Sequence, residues 1–165
     1  AKLIMSLKKV FRNPYEKRTP IRLDEVTMEV AELYRDRLKK SHIEIELNLN
    51  MTKEVAVIDS LMRQVLANLI SNAIDSLDSS TQSGKKISID LSESATDLKL
   101  EVFDNGPGIH PGKEHALFEL FQTSKSNGTG IGLWLCKYVV EAEGGKIYAQ
   151  SPQTGGAIFT VQIPI

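Results

Sequence analysis

The sequence predicts an α+β protein, a two-layer sandwich in which one mixed, mostly antiparallel sheet carries its helices on one face. Three observations carry that expectation. The stretch "IEIELNLN" (43–50) alternates strictly, with Ile43, Ile45, Leu47 and Leu49 on one side and Glu44, Glu46, Asn48 and Asn50 on the other, the period-two signature of a half-buried strand. Residues 60–77 instead repeat every three to four positions. The stripes Leu61, Val65, Leu69, Ala73, Leu77 and Met62, Leu66, Ile70, Ile74 make nearly half of a helix surface apolar. Finally, two adjacent alternating pairs, "KISIDLSES" with "LKLEVFDN" and "KIYAQS" with "AIFTVQIPI", have helices inserted between them, which does not match a βαβ dinucleotide-binding pattern.

In chain order, "AKLIMSLKKVFR" has helical spacing at Leu3, Leu7, Val10 and Phe11 and stops before Asn13 and Pro14, where a helix is disfavoured. "TPIRLDEVTMEVAELYRDRLKKSH" gives a short extended piece, an N-cap at Asp24 and one amphipathic helix through Val26, Val30, Leu33 and Leu38. The strand at 43–50 follows, then a shorter strand in "VAVID", the helix over 60–77 and a polar loop at 78–85. The first alternating pair turns near Ala95 to Asp97. From Gly106 to Gly132 the chain is rich in glycine and holds two prolines, so a long loop is expected, with at most a short helix around His115 to Phe121. Loops of this length inside a compact domain are usually functional. "IGLWLCKYVVEAEGG" is a helix ended by Gly144 and Gly145, and the last two strands close the chain.

Composition narrows the function classes. At 165 residues, 41% hydrophobic, 25% charged and a formal net charge of −1, the chain has the profile of one soluble globular domain. No apolar run approaches membrane-spanning length and the first residues do not form a signal peptide; the expectation is a cytoplasmic domain that itself makes no membrane contact, whether or not its parent protein is membrane-anchored. The single cysteine, Cys136, rules out an internal disulfide framework. With histidines scattered at 42, 110 and 115, no zinc-type cluster is spelled out either. Residues 1–20 carry six basic side chains against one acidic. The segment lacks the regular aromatic and basic interleaving of a nucleic-acid surface, so a partner surface is expected there instead.

Three polar features stand out. Along the long helix, Ser60, Gln64, Asn68, Asn72 and Ser76 form an uncharged row four residues apart, where a solvated flank would usually carry Lys and Glu. Asparagine is a mediocre helix former, so such a row fits the floor of a polar pocket whose amides ligate a cation or bond a ligand. "DNGPGI" (104–109) puts a carboxylate at the end of a strand, followed by two glycines. Asp104 there either initiates a turn or accepts a bond from an amino group, with Gly106 and Gly108 letting a flat ring approach the backbone. "GTGIGL" (128–133) opens a helix with free N–H groups at the positive end of its dipole, which suits phosphate oxygens, and Thr129 adds a hydroxyl.

In this fixed order the features resemble the ATP-binding fold, the Bergerat fold, shared by sensor histidine kinases, type II topoisomerases, Hsp90 chaperones and MutL repair proteins. The details are most similar to the catalytic domain of a bacterial sensor histidine kinase: "RQVLANLISNAIDSL" resembles its N box, "DNGPGI" its G1 box, "LFELFQTSK" its F box, "GTGIGL" its G2 box and "GGAIFTVQIP" its closing strand. The resemblance covers residues 20–165. It implies the cofactors ATP and Mg²⁺, with Asn72 ligating the ion and Asn68 supporting it. Asp104 would accept from the adenine amino group beside Gly106, Gly108 and Ile109. Lys125, Gly128, Thr129 and the N–H groups of Gly130, Ile131, Gly132 and Leu133 would hold phosphates, Phe118 and Phe121 would anchor the lid, and Thr160 would touch the adenine side through water.

Two departures accompany the resemblance. Asp75 stands in the ATP-site stretch where many relatives carry a basic residue, which leaves phosphate charge to Lys125, Mg²⁺ and Lys113; Gln122 replaces the more usual aromatic residue of the F box. None of His42, His110 or His115 has the context of a phosphoacceptor. The resemblance therefore implies a catalytic half: residues 1–13 as the end of the second helix of a dimerisation and phosphotransfer hairpin, and residues 14–165 as the catalytic domain. Its partners would be that hairpin, in a homodimer, and a response regulator receiver domain. An ATPase of the superfamily would use a glutamate near Gln64. A regulatory pseudokinase module and a serine kinase of the same fold remain alternatives.

Overall fold

The computed structural model of the chain describes residues 16–122 and 129–165. The helix expected over residues 1–12 and the boundary near residue 13 lie outside them. Twelve elements follow in order: β1 (Thr19–Ile21), α1 (Leu23–Glu32), α2 (Arg35–Lys40), β2 (Ile43–Asn50), β3 (Val55–Val57), α3 (Asp59–Asp78), β4 (Lys85–Glu93), β5 (Asp97–Asp104), a 3₁₀ turn (Ala116–Phe118), α4 (Gly132–Ala142), β6 (Lys146–Gln150) and β7 (Ala157–Pro164).

Five strands form the main sheet in the order β2-β4-β5-β7-β6. Only the β2–β4 pair is parallel, because α3 crosses between them, and the other pairs are antiparallel. The predicted α+β sandwich with a mixed, mostly antiparallel sheet is thus the observed one. Helix α3 supplies the largest share of the core. Its residues Met62, Val65, Leu66, Leu69, Ile70, Ala73, Ile74 and Leu77 are all buried, the two apolar stripes legible in the sequence with only Leu61 left half-exposed. They share one core with Ile87, Ile89 and Leu91 of β4, Leu98, Leu100 and Val102 of β5, and Phe159, Val161 and Ile163 of β7. Each large apolar side chain so buried stabilises the fold by about 1.5–3 kcal/mol relative to exposure. The opposite sheet face is polar and self-paired: Lys86 Nζ lies 2.5 Å from Glu46, Asn48 donates to Asp90 at 2.9 Å, and Lys99 Nζ lies 2.8 Å from Glu101.

Three expectations change. The strand in "VAVID" does not join the main sheet; β3 pairs antiparallel with β1 in a separate ribbon, Thr19 opposite Val57 and Ile21 opposite Val55. Asp24 is not the N-cap. Arg22 occupies that position, and Asp24 sits in the first turn, where its carboxylate accepts from Arg22 Nε at 3.0 Å and Nη2 at 2.6 Å. Those bonds to the guanidinium hold the Asp24 carboxyl below the usual carboxylate range. Last, the single helix expected through Leu38 is two. The N–H groups of Leu33 and Tyr34 bond back to Val30 and Ala31, three residues away, which tightens and ends α1. The break leaves Leu33 81% exposed and lets α2 re-aim, so that Leu38 is buried and the Tyr34 hydroxyl donates to the Ala67 carbonyl at 3.0 Å.

At the other end of the fold, Arg18 lies 3.0 Å from buried Glu143 and donates to the Ala142 carbonyl at 3.0 Å. The start of the described chain is thereby fixed to the C-terminal end of α4.

Candidate functional site

The polar row on α3 ends at both sides in contacts with other elements. At its C-terminal end the Ser76 hydroxyl donates to Asp104 Oδ1 at 3.0 Å, and the backbone N–H of Gly106 donates to the same oxygen at 3.0 Å. Asp104 is the last residue of β5 and is buried, 1% exposed. A buried carboxylate is tolerated only when hydrogen-bonded, and these two donors hold its oxygen in place. A Cβ at position 106 would lie 2.6 Å from Ser76 Oγ and 2.7 Å from Asp104 Oδ1, so any side chain there would have to displace the hydroxyl or the carboxylate from this cradle. Just beyond, the Ile109 N–H donates to Ser151 Oγ at 2.7 Å, and Gly108 takes a left-handed φ of +80° against Gly156.

Asn105, which sequence reasoning passed over, is the clasp of this turn. Its side chain accepts from the Lys86 N–H at 2.7 Å and donates to the Gly84 carbonyl at 2.8 Å. The Asp-Asn-Gly tripeptide is the signal that marks it.

The other end of the row meets α4. Gln64 donates to Asn68 Oδ1 at 3.1 Å, and Asn68 donates to the Gly132 carbonyl at 3.2 Å. Helix α4 begins there, with Ile131 as N-cap and no side-chain cap bond, leaving first-turn N–H groups of the helix without an intrahelical acceptor. Cys136 is buried one turn further on, its Sγ 3.8 Å from the Val65 carbonyl. Burial pushes its thiol up to about 12, with a bond from Asn68 offsetting part of the effect. Asn72 lies half-buried between the two ends of the row.

The loop that joins these ends is held by Phe118, 6% exposed and packed edge-to-face on Phe159 with ring centroids 6.2 Å apart. Phe121 does not anchor it by its ring, which is 65% exposed; its N–H bonds the Gly130 carbonyl at 2.9 Å, and its own φ is +66°. Thr129 is exposed, Leu133 half-buried and Ile131 buried. Lys125 and Gly128 lie outside the described residues. His42, His110 and His115 are all exposed.

Two expected site residues stand apart. Asp75 forms an ion pair with Arg37 of α2. Thr160 is on the other face of the sheet: it registers with Glu101, and its hydroxyl lies 3.4 Å from that carboxylate, whereas Asp104 registers with Ala157. Side chains alternate along β7, so a residue three positions from Ala157 points away from Asp104, and the expected contact with the adenine side is corrected on that ground.

The donor set fits Mg²⁺ bound with a nucleotide better than a metal held by protein alone. Among the described residues no group of three or more His, Cys, Asp or Glu could cage an ion, whereas Mg²⁺ commonly takes one or two protein oxygens together with phosphate oxygens.

Residues 56–165 match the family described as histidine kinase-, DNA gyrase B-, and HSP90-like ATPase. The sensor histidine kinase ZraS of Salmonella typhimurium is 31% identical over 149 residues, covering 88% of this chain and 31% of ZraS. A nucleotide-free structure of the catalytic domain of histidine kinase ThkA is 31% identical, with a TM-score of 0.80 over 90% of this chain and 95% of that domain. The complex of ThkA with the response regulator protein TrrA matches at 27% identity and a TM-score of 0.79, covering 99% of this chain and 47% of that one. The chain spans well under half the length of the curated relatives it matches. In sequence and in fold, the chain belongs to the histidine kinase-, DNA gyrase B- and HSP90-like ATPase family, among the catalytic domains of histidine kinases.

Proposed function

We propose that this chain binds ATP with Mg²⁺ along the polar row of α3 and transfers the γ-phosphoryl group to a histidine on a separate dimerisation hairpin. One observation carries the reading. The row joins a buried carboxylate in a glycine cradle, at Ser76, to the N-terminus of a helix, at Asn68. Eight residues of helix separate them, about 12 Å, which suits a base at one end and phosphates at the other.

In this reading Asp104 accepts from the adenine amino group, and Gly106, Gly108 and Ile109 lie against the ring. Thr129 and the N–H groups of Gly130 to Leu133 hold phosphate oxygens, with Lys125 and Gly128 as further contributors from the same loop. Asn72 offers its amide oxygen to Mg²⁺, an acceptor that adds no negative charge beside a triphosphate. A bound ion would supply positive charge beside the phosphates, to offset the charge that builds on the transferring group. Transfer breaks the bond from the γ-phosphorus to the bridging oxygen, forms a phosphorus–nitrogen bond on the acceptor imidazole and leaves ADP. The site contributes chiefly positioning.

Half-buried Trp134 stacked on exposed Tyr138 of α4, centroids 5.8 Å apart, and exposed Leu120 and Phe121 supply an apolar surface for the hairpin to dock on. Residues 1–13 are read as the end of that hairpin and residues 14–165 as the catalytic domain. The complex of ThkA with a response regulator supports a receiver domain as the downstream partner. No helix among the described residues is long and apolar enough to cross a membrane, and a cytoplasmic site of action is proposed with it.

Incubated alone with labelled ATP, the chain is expected to acquire no stable phosphate, and to label a separately supplied hairpin from its parent kinase with acid-labile phosphate. Rapid self-labelling at His42, His110 or His115 would overturn the reading. Acid-stable label on the hairpin would indicate a serine or threonine kinase, and ATP binding without transfer a regulatory module.

A second expectation concerns the ion. Asn72→Ala should remove the Mg²⁺ dependence of ATP binding and leave the melting temperature near that of the parent, since Asn72 is half-buried on the polar row. Calorimetric titration with and without Mg²⁺ checks it; a parent chain indifferent to the ion refutes the metal role.

A further inference from the structure

Asp75 lies three residues after Asn72 on α3. Residues so spaced on a helix have Cβ atoms about 5–6 Å apart. A carboxylate there is within one Debye length of anything held at Asn72, so alone it would repel a polyphosphate. The fold places a cation against it. Helix α2 is six residues long and is set by the break after α1. Its Arg37 pairs with Asp75, donates from Nη1 to Ser71 Oγ at 3.1 Å and lies 3.7 Å from Asp78. The neighbouring Tyr34 hydroxyl is bonded to the Ala67 carbonyl at 3.0 Å, which fixes the start of α2 on α3 from the same side. The guanidinium is thus attached to α3 at three residues of one face, beside the middle of the polar row.

We propose that Arg37 is a charge-balancing positioning residue for the nucleotide site: by pairing with Asp75 it cancels a negative charge that would otherwise oppose the phosphates held at Asn72. The proposal rests on the reading of Asn72 as a phosphate-side residue. It explains how an acidic residue is compatible with the ATP-binding stretch of α3, since the cation comes from a helix 38 residues earlier in the chain. The pair is about a third exposed on each side, so solvent screens it and the effect is moderate.

The test is a double-mutant cycle read by calorimetry on the full chain with Mg²⁺ and with ATP, ADP and adenosine as titrants. Arg37→Met should weaken ATP about three- to tenfold, ADP less, and adenosine not measurably, because the penalty scales with ligand charge. Adding Asp75→Asn should restore ATP to within about twofold of the parent. Asp75→Asn alone, with Arg37 in place, should tighten ATP, and it keeps the proposal testable if Arg37→Met does not fold. Equal losses for ATP and adenosine, or no recovery in the double variant, would mean that Arg37 only ties α2 to α3 and would overturn the proposal. A parent chain that binds none of the three ligands would overturn the site reading and this inference together, whereas ATP binding by the parent with no change in any variant refutes this inference alone.

Discussion

Asp104→Asn should weaken ATP by about one to two orders of magnitude while leaving the fold intact. The substituted amide keeps an oxygen that can accept from Ser76 and from the Gly106 N–H, both now at 3.0 Å, so the cradle survives. What is lost is a charged acceptor for the adenine amino group, and hydrogen bonds to charged groups are worth about 1.5–3 kcal/mol. An inosine nucleotide carries a carbonyl in place of that amino group and should lose far less, since the new amide can donate to it. Titration of both nucleotides against both proteins checks the difference. Parallel losses would mean that Asp104 merely shapes the turn.

Gly156→Ala should be among the most damaging small substitutions in the chain. Gly156 has a φ of +84°, and a Cβ there would lie 2.2 Å from the Asp104 carbonyl oxygen and 2.9 Å from the Phe103 ring. The new methyl group meets both backbone strain and a collision with the strand that carries the site. A loss of about 2–4 kcal/mol is expected, or roughly 5–15 °C in melting temperature for a domain of this size. ATP should weaken as well, because the atom displaced belongs to Asp104. Gly155→Ala separates the causes: its φ is +91°, yet nothing lies within 4 Å of a Cβ there, so it reports backbone strain alone. Equal shifts for the two variants would show that the start of β7 does not press on Asp104.

The sequence revealed faces more readily than partners. The stripes of α3 and the alternation of β2 were legible because burial on one side writes a period into the residues, 3.6 for a helix and two for a strand. The glycines at 106, 108 and 156 all sit in recognisable phrases, but nothing in the phrase around Gly156 tells that it presses on the Asp104 carbonyl. Pairing was not legible. Nothing local distinguishes a β3 that joins the main sheet from one that pairs with Thr19–Ile21, since both need the same alternation. Leu33 carries a helical apolar spacing and is nevertheless exposed, because backbone bonds end α1 before the pattern does. Thr160 was placed by motif, and a strand turns a shift of one residue into the opposite face. Asp75 looked like an uncompensated charge because its counter-ion comes from another helix.

Cys136 gives the α3–α4 seam a built-in gauge. Its sulfur is 0% exposed, and its thiol titrates far above neutrality, so in the closed seam it is neither reachable nor nucleophilic. A reagent can reach it only while the two helices stand apart, and the same excursion pulls Asn68 from the Gly132 carbonyl. Alkylation of this one sulfur therefore counts how often the seam breathes open, and a ligand that bridges both helices lengthens the interval between openings.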